Sequence, residues 1–210
     1  MANQLSQYAN DLIGHYLDSV LDVLETSEDA RSSLFDSYES YRALRAPKPA
    51  YSHFAEDHET KTDWWRNRLR LLQLLGGSHV AASQYDVEGI LSRVRPYEKE
   101  LVPEMIILNG RQGRHREAIR LLTHGLGDFD TAVSYCVLGG SSTYSPVSGS
   151  LPKESIPSRE EQVRLFGYLL EEFFCIEDLS DRITQTSELL ERFAGWFDVI
   201  HVSMKPCTCV

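Results

Sequence analysis

Apolar residues recur at intervals of three and four along most of the chain, which is the spacing of one face of an α-helix. The first apolar stripe comprises Leu5, Ala9, Leu12, Tyr16, Val20 and Leu24. Thr26 with Asp29 resembles a capping box, and this pair predicts the start of a second helix. The stripe of that helix comprises Ala30, Leu34, Tyr38 and Tyr41. We therefore expect the chain to begin with a helical hairpin.

Proline residues separate this hairpin from a third helix. Pro47 and Pro49 predict an extended connection over RAPKPAYSHF, residues 45–54, because proline fixes its own backbone and restricts the residue before it. Thr60 and Asp63 then suit the start of the third helix. The predicted inward side chains of that helix are Trp65, Leu69 and Leu72.

Further helices are predicted after the pair Gly76-Gly77, which ends the third helix. A short helix is expected from Asp86 to Val94. Pro96 fits the first turn of the next helix, because a proline there removes no intrahelical hydrogen bond. The stripe of this next helix comprises Val102, Met105, Ile106 and Asn109.

The composition changes between residues 139 and 157. This segment, GGSSTYSPVSGSLPKESIP, is rich in Gly, Ser and Pro, and it has too little apolar surface to offset the entropy of ordering it. It predicts a flexible insertion between two helical regions, residues 1–138 and residues 158–198.

Two helices are predicted beyond the insertion. Ser158 with Glu161 forms a capping box for the first of them, and its stripe comprises Val163, Phe166, Leu170 and Phe173. The second helix carries Leu190, Phe193 and Phe197. Residues 199–210 are predicted to be an unstructured tail. Because the alternating patterns typical of strands are missing, we predict an all-α fold.

The stretch from Asn109 to Cys136, NGRQGRHREAIRLLTHGLGDFDTAVSYC, contains the residue types of a thiol active site. His115, His124, Asp128 and Cys136 could form a Cys-His-Asp constellation with the cysteine as nucleophile. Cys136, however, lies on the apolar stripe of a predicted helix, which favours a buried and inert thiol. The two histidines are too far apart for metal ligands on one helical face, so we expect solvated or partly packed side chains.

An architectural interpretation accounts for more of this stretch. Gly110 and Gly113 supply the backbone freedom that a tight turn between helices requires. Ala118 lies on the inward face of the following helix with Leu121 and Leu122, and its small side chain lets a neighbouring helix approach closely.

A second turn then leads into a third helix. Asp128 can cap this helix, and Tyr135 and Cys136 lie near its end. The stretch is therefore predicted to be three helices joined by two turns, and we predict no catalytic residue, no cofactor and no metal ion.

Charge and length exclude several classes of function. The 210 residues carry 21 Lys and Arg against 31 Asp and Glu, a formal net charge of -10, so a nucleic acid backbone would repel the chain. No run approaches the roughly 18 apolar residues of a membrane span, and the N-terminus does not have the form of a signal peptide. Four cysteines are too few for the disulfide framework of a small secreted protein. We predict a soluble, cytoplasmic protein.

A family resemblance emerges in the region of the three helices. Its features follow in order: Tyr85-Asp86 before a short helix, a Gly-Arg-x-Gly-x-His turn at 110–115, Glu117-Ala118, Asp128, and Tyr135-Cys136. This pattern resembles the vacuolar sorting proteins that include TGF-β receptor-associated protein, which are Rab-associated subunits of the CORVET and HOPS endosomal tethering complexes. More loosely, the resemblance extends from Leu12 to Asp198.

The resemblance implies both a fold and a function. Proteins of that family carry a clathrin-heavy-chain-type helical repeat, so it implies an α-solenoid of stacked helical hairpins. It also implies a non-enzymatic scaffold that binds other subunits of a tethering complex, acts in vesicle-mediated protein transport and membrane fusion, and lies on endosomal or vacuolar membranes through its partners. The β-propeller of the family does not fit into 210 residues. We therefore expect an isolated C-terminal solenoid segment or a truncated gene product, which contacts endosomal Rab GTPases only indirectly.

Other functions stay open from the sequence. One is a small α-helical thiol hydrolase that uses Cys136 or a histidine. Another is a generic helical-repeat interaction module unrelated to tethering. A third is a prenylated peripheral protein, because the terminal CTCV superficially fits a prenylation box with Cys207 as acceptor, although its middle and last residues are not the usual ones.

Overall fold

A computed structural model describes residues 2–57, 62–76, 85–139 and 157–197. Within these ranges the chain forms helices, turns and no β-strand, which confirms the predicted all-α fold. The α-helices are α1 (Ala2–Thr26), α2 (Glu28–Arg42), α3 (Tyr51–Asp57), α4 (Asp63–Gly76), α5 (Val87–Val94), α6 (Val102–Arg111), α7 (His115–Arg120), α8 (Phe129–Leu138), α9 (Arg159–Phe174) and α10 (Leu179–Phe193).

Some of the predictions fall outside the described ranges. The proposed flexible insertion lies outside them apart from its first residue and its last residue. The same is true of Thr60, of Gly77 and of the predicted tail at 199–210.

Helix α1 packs chiefly against α4 rather than against α2. Its buried side chains are Ile13, Leu17, Val20, Leu21 and Leu24. From α4, Asn67 donates a hydrogen bond to Ser19 at 2.9 Å and Arg70 donates one to the Tyr16 hydroxyl at 3.2 Å. The first two helices therefore touch, but they are not the main packing unit that the sequence pattern predicts.

Helix α2 begins one residue later than its predicted capping box. Thr26 ends α1, and Ser27 is the N-cap, because its side chain accepts a hydrogen bond from the Ala30 N–H at 3.2 Å. The predicted stripe is confirmed as buried. Residues 43–50 are not helical, but α3 begins at Tyr51, inside the segment predicted to be extended. The prolines prevent a helix through their own positions only.

The short helix α5 agrees with its prediction. The Asp86 side chain accepts a hydrogen bond from the Gly89 N–H at 3.0 Å and so caps the helix. Pro96 lies instead in a 3-10 turn, Arg95–Tyr97, and Pro103 occupies the first turn of α6. Both prolines satisfy the same steric rule, so the sequence pattern alone did not distinguish them.

Tight turns join α6 to α7 and α7 to α8. Gly113 has a φ of 71°, a left-handed conformation that glycine adopts readily, whereas Gly110 lies inside α6 and not in the turn. Helix α7 continues into a π-helical turn, Leu121–Gly125. Gly127, with a φ of 60°, then leads to the N-cap Asp128. The predicted order of helix, turn, helix, turn and helix is confirmed.

The last two helices form the C-terminal end of the described structure. Ser158 accepts a hydrogen bond from the Glu161 N–H at 3.2 Å, which confirms it as the N-cap of α9. On α10, Leu189 is buried, whereas Leu190, which the pattern placed inward, is 39% exposed. The inward face is shifted because adjacent leucines fit the helical period equally well.

In the second half, most helices pack on helices that lie one or two positions away in the chain. Helix α5 packs on α6, α6 on α7, both α7 and α8 on α9, and α9 on α10. The buried apolar side chains of these helices form the contacts between them. None of the helices within the described ranges is both long enough and apolar enough to pass through a membrane.

Substitution of Ala118 tests how closely α7 packs against its neighbours. The side chain of Ala118 is completely buried, and α7 packs against both α6 and α9. We expect Ala118→Leu to lower the free energy of unfolding by about 1 to 3 kcal/mol, because the added atoms have no free space to occupy. Urea unfolding measures this, with Ser134→Leu on the exposed side of α8 as the control. An Ala118→Leu protein as stable as the parent would contradict this description of the packing.

Candidate functional site

A buried ion pair joins α4 to α6. Arg68 and Glu104 are both inaccessible to solvent, and they meet through two contacts, Nε to Oε1 at 2.9 Å and Nη2 to Oε2 at 3.3 Å. Removing a charge from water costs several kcal/mol unless an opposite charge and hydrogen bonds compensate for it. Each of these two side chains therefore requires the other.

Tyrosine hydroxyl groups complete the hydrogen bonding around the pair. Arg68 donates to the Tyr51 hydroxyl at 3.2 Å and to the Tyr38 hydroxyl at 2.9 Å. Tyr38 in turn donates to the Glu100 carbonyl at 2.5 Å, and Ser37 lies 3.0 Å from the Tyr51 hydroxyl. Helices α2, α3, α4 and α6 thus meet in one set of polar contacts. We call it the Arg68 network, and it comprises Ser37, Tyr38, Tyr51, Arg68 and Glu104.

Aromatic rings surround the guanidinium group of the network. It lies 5.2 Å from the ring centre of Trp65, 5.6 Å from that of Tyr51 and 5.8 Å from that of Tyr38, within the range of cation–π attraction. Burial raises the pKa of Tyr38 well above its usual value, although Arg68 acts in the opposite direction. Tyr38 is therefore a neutral hydrogen-bond donor. The charged groups of the network are Arg68 and Glu104, whose charges cancel.

The sequence patterns did not predict this network, although a signal was present. Arg68 follows Trp65 by three residues and precedes Leu72 by four, so it lies on the apolar stripe of α4. The predicted inward residue was Leu69, which is only partly buried. Glu104 likewise lies among the apolar residues of VPEMIIL. Opposite charges on two apolar stripes indicate a buried pair, but their partnership depends on how the helices pack.

Asp128 links the N-terminal helices to α8. It is buried, and its Oδ1 accepts a hydrogen bond from the Thr131 N–H at 3.0 Å, which confirms the predicted helix cap. Its Oδ2 accepts a second hydrogen bond from the Tyr41 hydroxyl at 2.5 Å. The Tyr41 hydroxyl also lies 2.8 Å from the Pro49 carbonyl. Asp128 therefore fixes both the start of α8 and its position against α2.

Two basic side chains hold the backbone of the turn that precedes Asp128. Arg42 donates from Nε to the Gly125 carbonyl at 2.9 Å, and Lys48 donates to the Gly127 carbonyl at 2.9 Å. Burial lowers the pKa of Lys48, against the attraction of Asp128. These contacts satisfy carbonyl groups at the end of the π-helical turn, because no further helical turn follows whose N–H groups could donate to them. The function of this polar cluster is therefore structural.

His115 and Tyr135 join the start of α7 to α8. The Nδ1 atom of His115 lies 2.7 Å from the Tyr135 hydroxyl, and the two rings are in edge-to-face contact. Burial lowers the pKa of His115 and raises the pKa of Tyr135. The histidine is therefore partly packed, and it has a fixed partner in a neighbouring helix.

Cys136 is a free thiol in the core of the protein. Its side chain is completely buried, and burial raises the pKa of the thiol well above its usual value. The thiolate is the reactive form of cysteine, so this environment opposes nucleophilic chemistry. The predicted buried thiol is confirmed.

The four residues of the candidate thiol site are not assembled into one site. His115 and Asp128 hydrogen-bond to tyrosines, and the Nε2 atom of His124 lies 3.2 Å from Glu172. Among the residues that the structure describes, no three metal-ligating side chains lie close enough together to hold an ion. A cleft between α8 and α10 has a volume of about 20 Å³, which is space for a water molecule and not for an organic substrate.

The Arg68 network gives a test by mutation. We expect Arg68→Met or Glu104→Leu alone to lower the free energy of unfolding by about 3 to 5 kcal/mol, because either change leaves a buried charge without its partner. The double variant Arg68→Met/Glu104→Leu should lose much less than the sum of the two single losses. Urea unfolding of the four proteins completes the mutant cycle.

The control for this cycle is Arg66→Met on the exposed side of α4. Arg66 pairs with Asp63 at the surface, where both side chains are more than half exposed. Its loss should cost less than about 1 kcal/mol. Strictly additive losses at Arg68 and Glu104 would show that the two charges are not coupled.

Cys136 gives a test of reactivity. We expect a thiol reagent to label Cys136 slowly in the native protein and rapidly in urea, because the thiol is buried and its pKa is raised. Digestion and mass spectrometry identify the labelled residue. Rapid, selective labelling of native Cys136 would contradict this prediction and would support the thiol hydrolase.

Comparison with protein-family models, with curated proteins and with solved structures finds no match to this chain. The resemblance to the vacuolar sorting proteins therefore stays a prediction from the pattern between Tyr85 and Cys136.

Proposed function

We propose that this chain is a non-enzymatic scaffold, an α-solenoid segment that assembles with other subunits of an endosomal or vacuolar membrane tethering complex. The observation that carries the proposal is the packing of the second half, where α5 packs on α6, α6 on α7, both α7 and α8 on α9, and α9 on α10. Contacts between adjacent units are the organisation that a helical-repeat protein requires.

Several residues of the family resemblance also support a scaffold, because they make contacts between elements. The Tyr85 hydroxyl donates to the Leu75 carbonyl at the end of α4, 3.1 Å away, and burial raises the pKa of Tyr85 to about 12. Gly113 makes the turn between α6 and α7, Asp128 binds the Tyr41 hydroxyl, and Tyr135 contacts α7. These residues are engaged in packing and not in a cavity.

The proposed partners follow from the resemblance and from charge. The chain has a formal net charge of -10, which favours a basic protein surface over an anionic lipid or a nucleic acid as its direct contact. We therefore propose that other subunits bring the chain to the endosomal or vacuolar membrane. Rab GTPases are expected to be indirect partners.

Affinity purification tests the proposal. The full chain would be expressed with a tag in cells of its source organism, and the bound proteins would be identified by mass spectrometry with the tag alone as the control. We expect subunits of a CORVET-type or HOPS-type complex at levels well above that control.

A second bait makes the test specific to the folded chain. Arg68→Met should weaken the recovery of these subunits, whereas Arg66→Met on the exposed side of the same helix should not. Recovery of no tethering subunit with the parent chain would overturn the proposal, and it would leave the chain as a helical interaction module of another kind.

A further inference from the structure

Helix α10 is packed along one side. Within the part of the chain that the structure describes, α6 packs against both α5 and α7, and α9 packs against α7, α8 and α10. Helix α10 packs chiefly against α9 and against the turn that follows it, Ala194–Trp196. Leu189 of this side is buried, and the Phe193 ring lies 4.6 Å from the Phe166 ring of α9.

A row of aliphatic side chains lies on the remaining surface of α10. Leu179 is 59% exposed, Ile183 57% and Leu190 39%. With the half-buried Thr186, they occupy positions separated by four, three and four residues. Successive residues of an α-helix are about 100° apart, so these positions fall within about 60° of one another. We call this row the outer face of α10, and it comprises Leu179, Ile183, Thr186 and Leu190.

The spacing and the size of the outer face suit a single helix as its occupant. Alternating intervals of four and three are typical of a helix that packs lengthwise against another helix. Helix α10 has 15 residues and is about 22 Å long. One face of such a helix is much smaller than the roughly 800 Å² that each of two globular partners buries in a stable complex. Amphipathic helices, in contrast, bind through a few apolar anchors at helical spacing.

The surroundings of the outer face are acidic. From residue 177 to residue 193 the chain has five Asp or Glu and two Arg, which is a net charge of -3. The five carboxylates are exposed, and none of them forms an ion pair within the described ranges. They are Glu177, Asp178, Asp181, Glu188 and Glu191. An occupant with basic residues beside its apolar face would therefore complement this surface.

Charge distinguishes the possible occupants. A second copy of the chain would bring a helix with the same net charge of -3, in a protein of net charge -10, so like charges would meet. An anionic lipid surface is disfavoured for the same reason. A basic helix of another protein instead neutralises the carboxylates while its apolar side chains cover the outer face.

We propose that the outer face of α10 binds an amphipathic helix of another protein, one with apolar residues at intervals of four and three and with Lys or Arg beside them. Leu179, Ile183 and Leu190 contact the apolar side of that helix, and the five carboxylates attract its basic residues. This inference rests on the scaffold part of the proposed function, since it names a surface that holds a partner. It does not require the partner to be a tethering subunit.

Titration with two synthetic peptides tests the proposal. Each peptide has about 20 residues, enough to form a helix, with leucine at alternating intervals of four and three. One peptide carries lysine and alanine at the other positions, and the second carries glutamate and alanine. We expect the full chain to bind the lysine peptide at least about tenfold more tightly than the glutamate peptide, as measured by fluorescence anisotropy.

Variants of the chain locate the binding surface. Leu179→Ser/Ile183→Ser should weaken binding of the lysine peptide about tenfold without changing the melting temperature, because both side chains are more than half exposed. The matched control is Tyr8→Ser/Phe35→Ser, which removes two exposed aromatic side chains from α1 and α2. Its affinity for the lysine peptide should equal that of the parent. Glu177→Gln/Asp181→Asn should weaken this binding and reduce its dependence on salt.

Photocrosslinking in cells identifies the natural occupant. A photoreactive phenylalanine would replace Ile183, and in a control chain it would replace Thr184, which is exposed but lies about 100° away around the helix. We expect the residue at position 183 to crosslink to a basic amphipathic segment of another protein, which mass spectrometry maps. The residue at position 184 should give much less of this product.

Several results would overturn the proposal. One is equal affinity of the parent and Leu179→Ser/Ile183→Ser for the lysine peptide. Others are the absence of a crosslink from position 183, or a crosslink to a second copy, to the same chain or to lipid. A crosslink to a basic helix outside the tethering complexes would support this inference and count against the tethering function. Tethering subunits that bind Leu179→Ser/Ile183→Ser as well as the parent would do the reverse.

Discussion

Arg68 and Glu104 occupy positions where water does not reach them, and this constraint organises the first half of the chain. A guanidinium group has five N–H donors in a fixed plane, so satisfying it in the core requires several acceptors at set positions. The carboxylate comes from α6, and hydroxyl groups come from α2 and α3. Alternative arrangements of these helices would leave a buried charge unpaired, so the network favours one relative placement of four helices over others of similar apolar burial.

Polar side chains extend this organisation to the second half. Tyr41 and Asp128 are 87 residues apart in sequence, yet their hydrogen bond joins α2 to the first residue before α8. Arg42 and Lys48 hold the turn beside it through backbone carbonyls. Such contacts are directional, unlike apolar burial, and they set the position of the second-half helices relative to the Arg68 network of the first half.

In the stretch from Asn109 to Cys136, the same residue types are suited both to catalysis and to packing between helices. The histidine, aspartate, tyrosine and cysteine side chains could serve catalysis, but their partners show that they serve packing. Burial that raises the pKa of a thiol makes it less reactive and, at the same time, a good small core residue. Packing between helices accounts for each of these environments.

The sequence by itself determined the helices, because their periodicity and caps are local properties. Ser158, Asp86 and Asp128 cap the helices that their positions predict, and the buried stripe of α2 is as predicted. Only the tertiary structure decided which helices meet, which of two adjacent leucines turns inward on α10, and which charges are buried. Local patterns fix a residue's face on its helix, whereas the partner that compensates Arg68 lies 36 residues away and depends on packing. The physical reason is that a charge on an apolar stripe is unfavourable in every local conformation and becomes favourable only beside its partner.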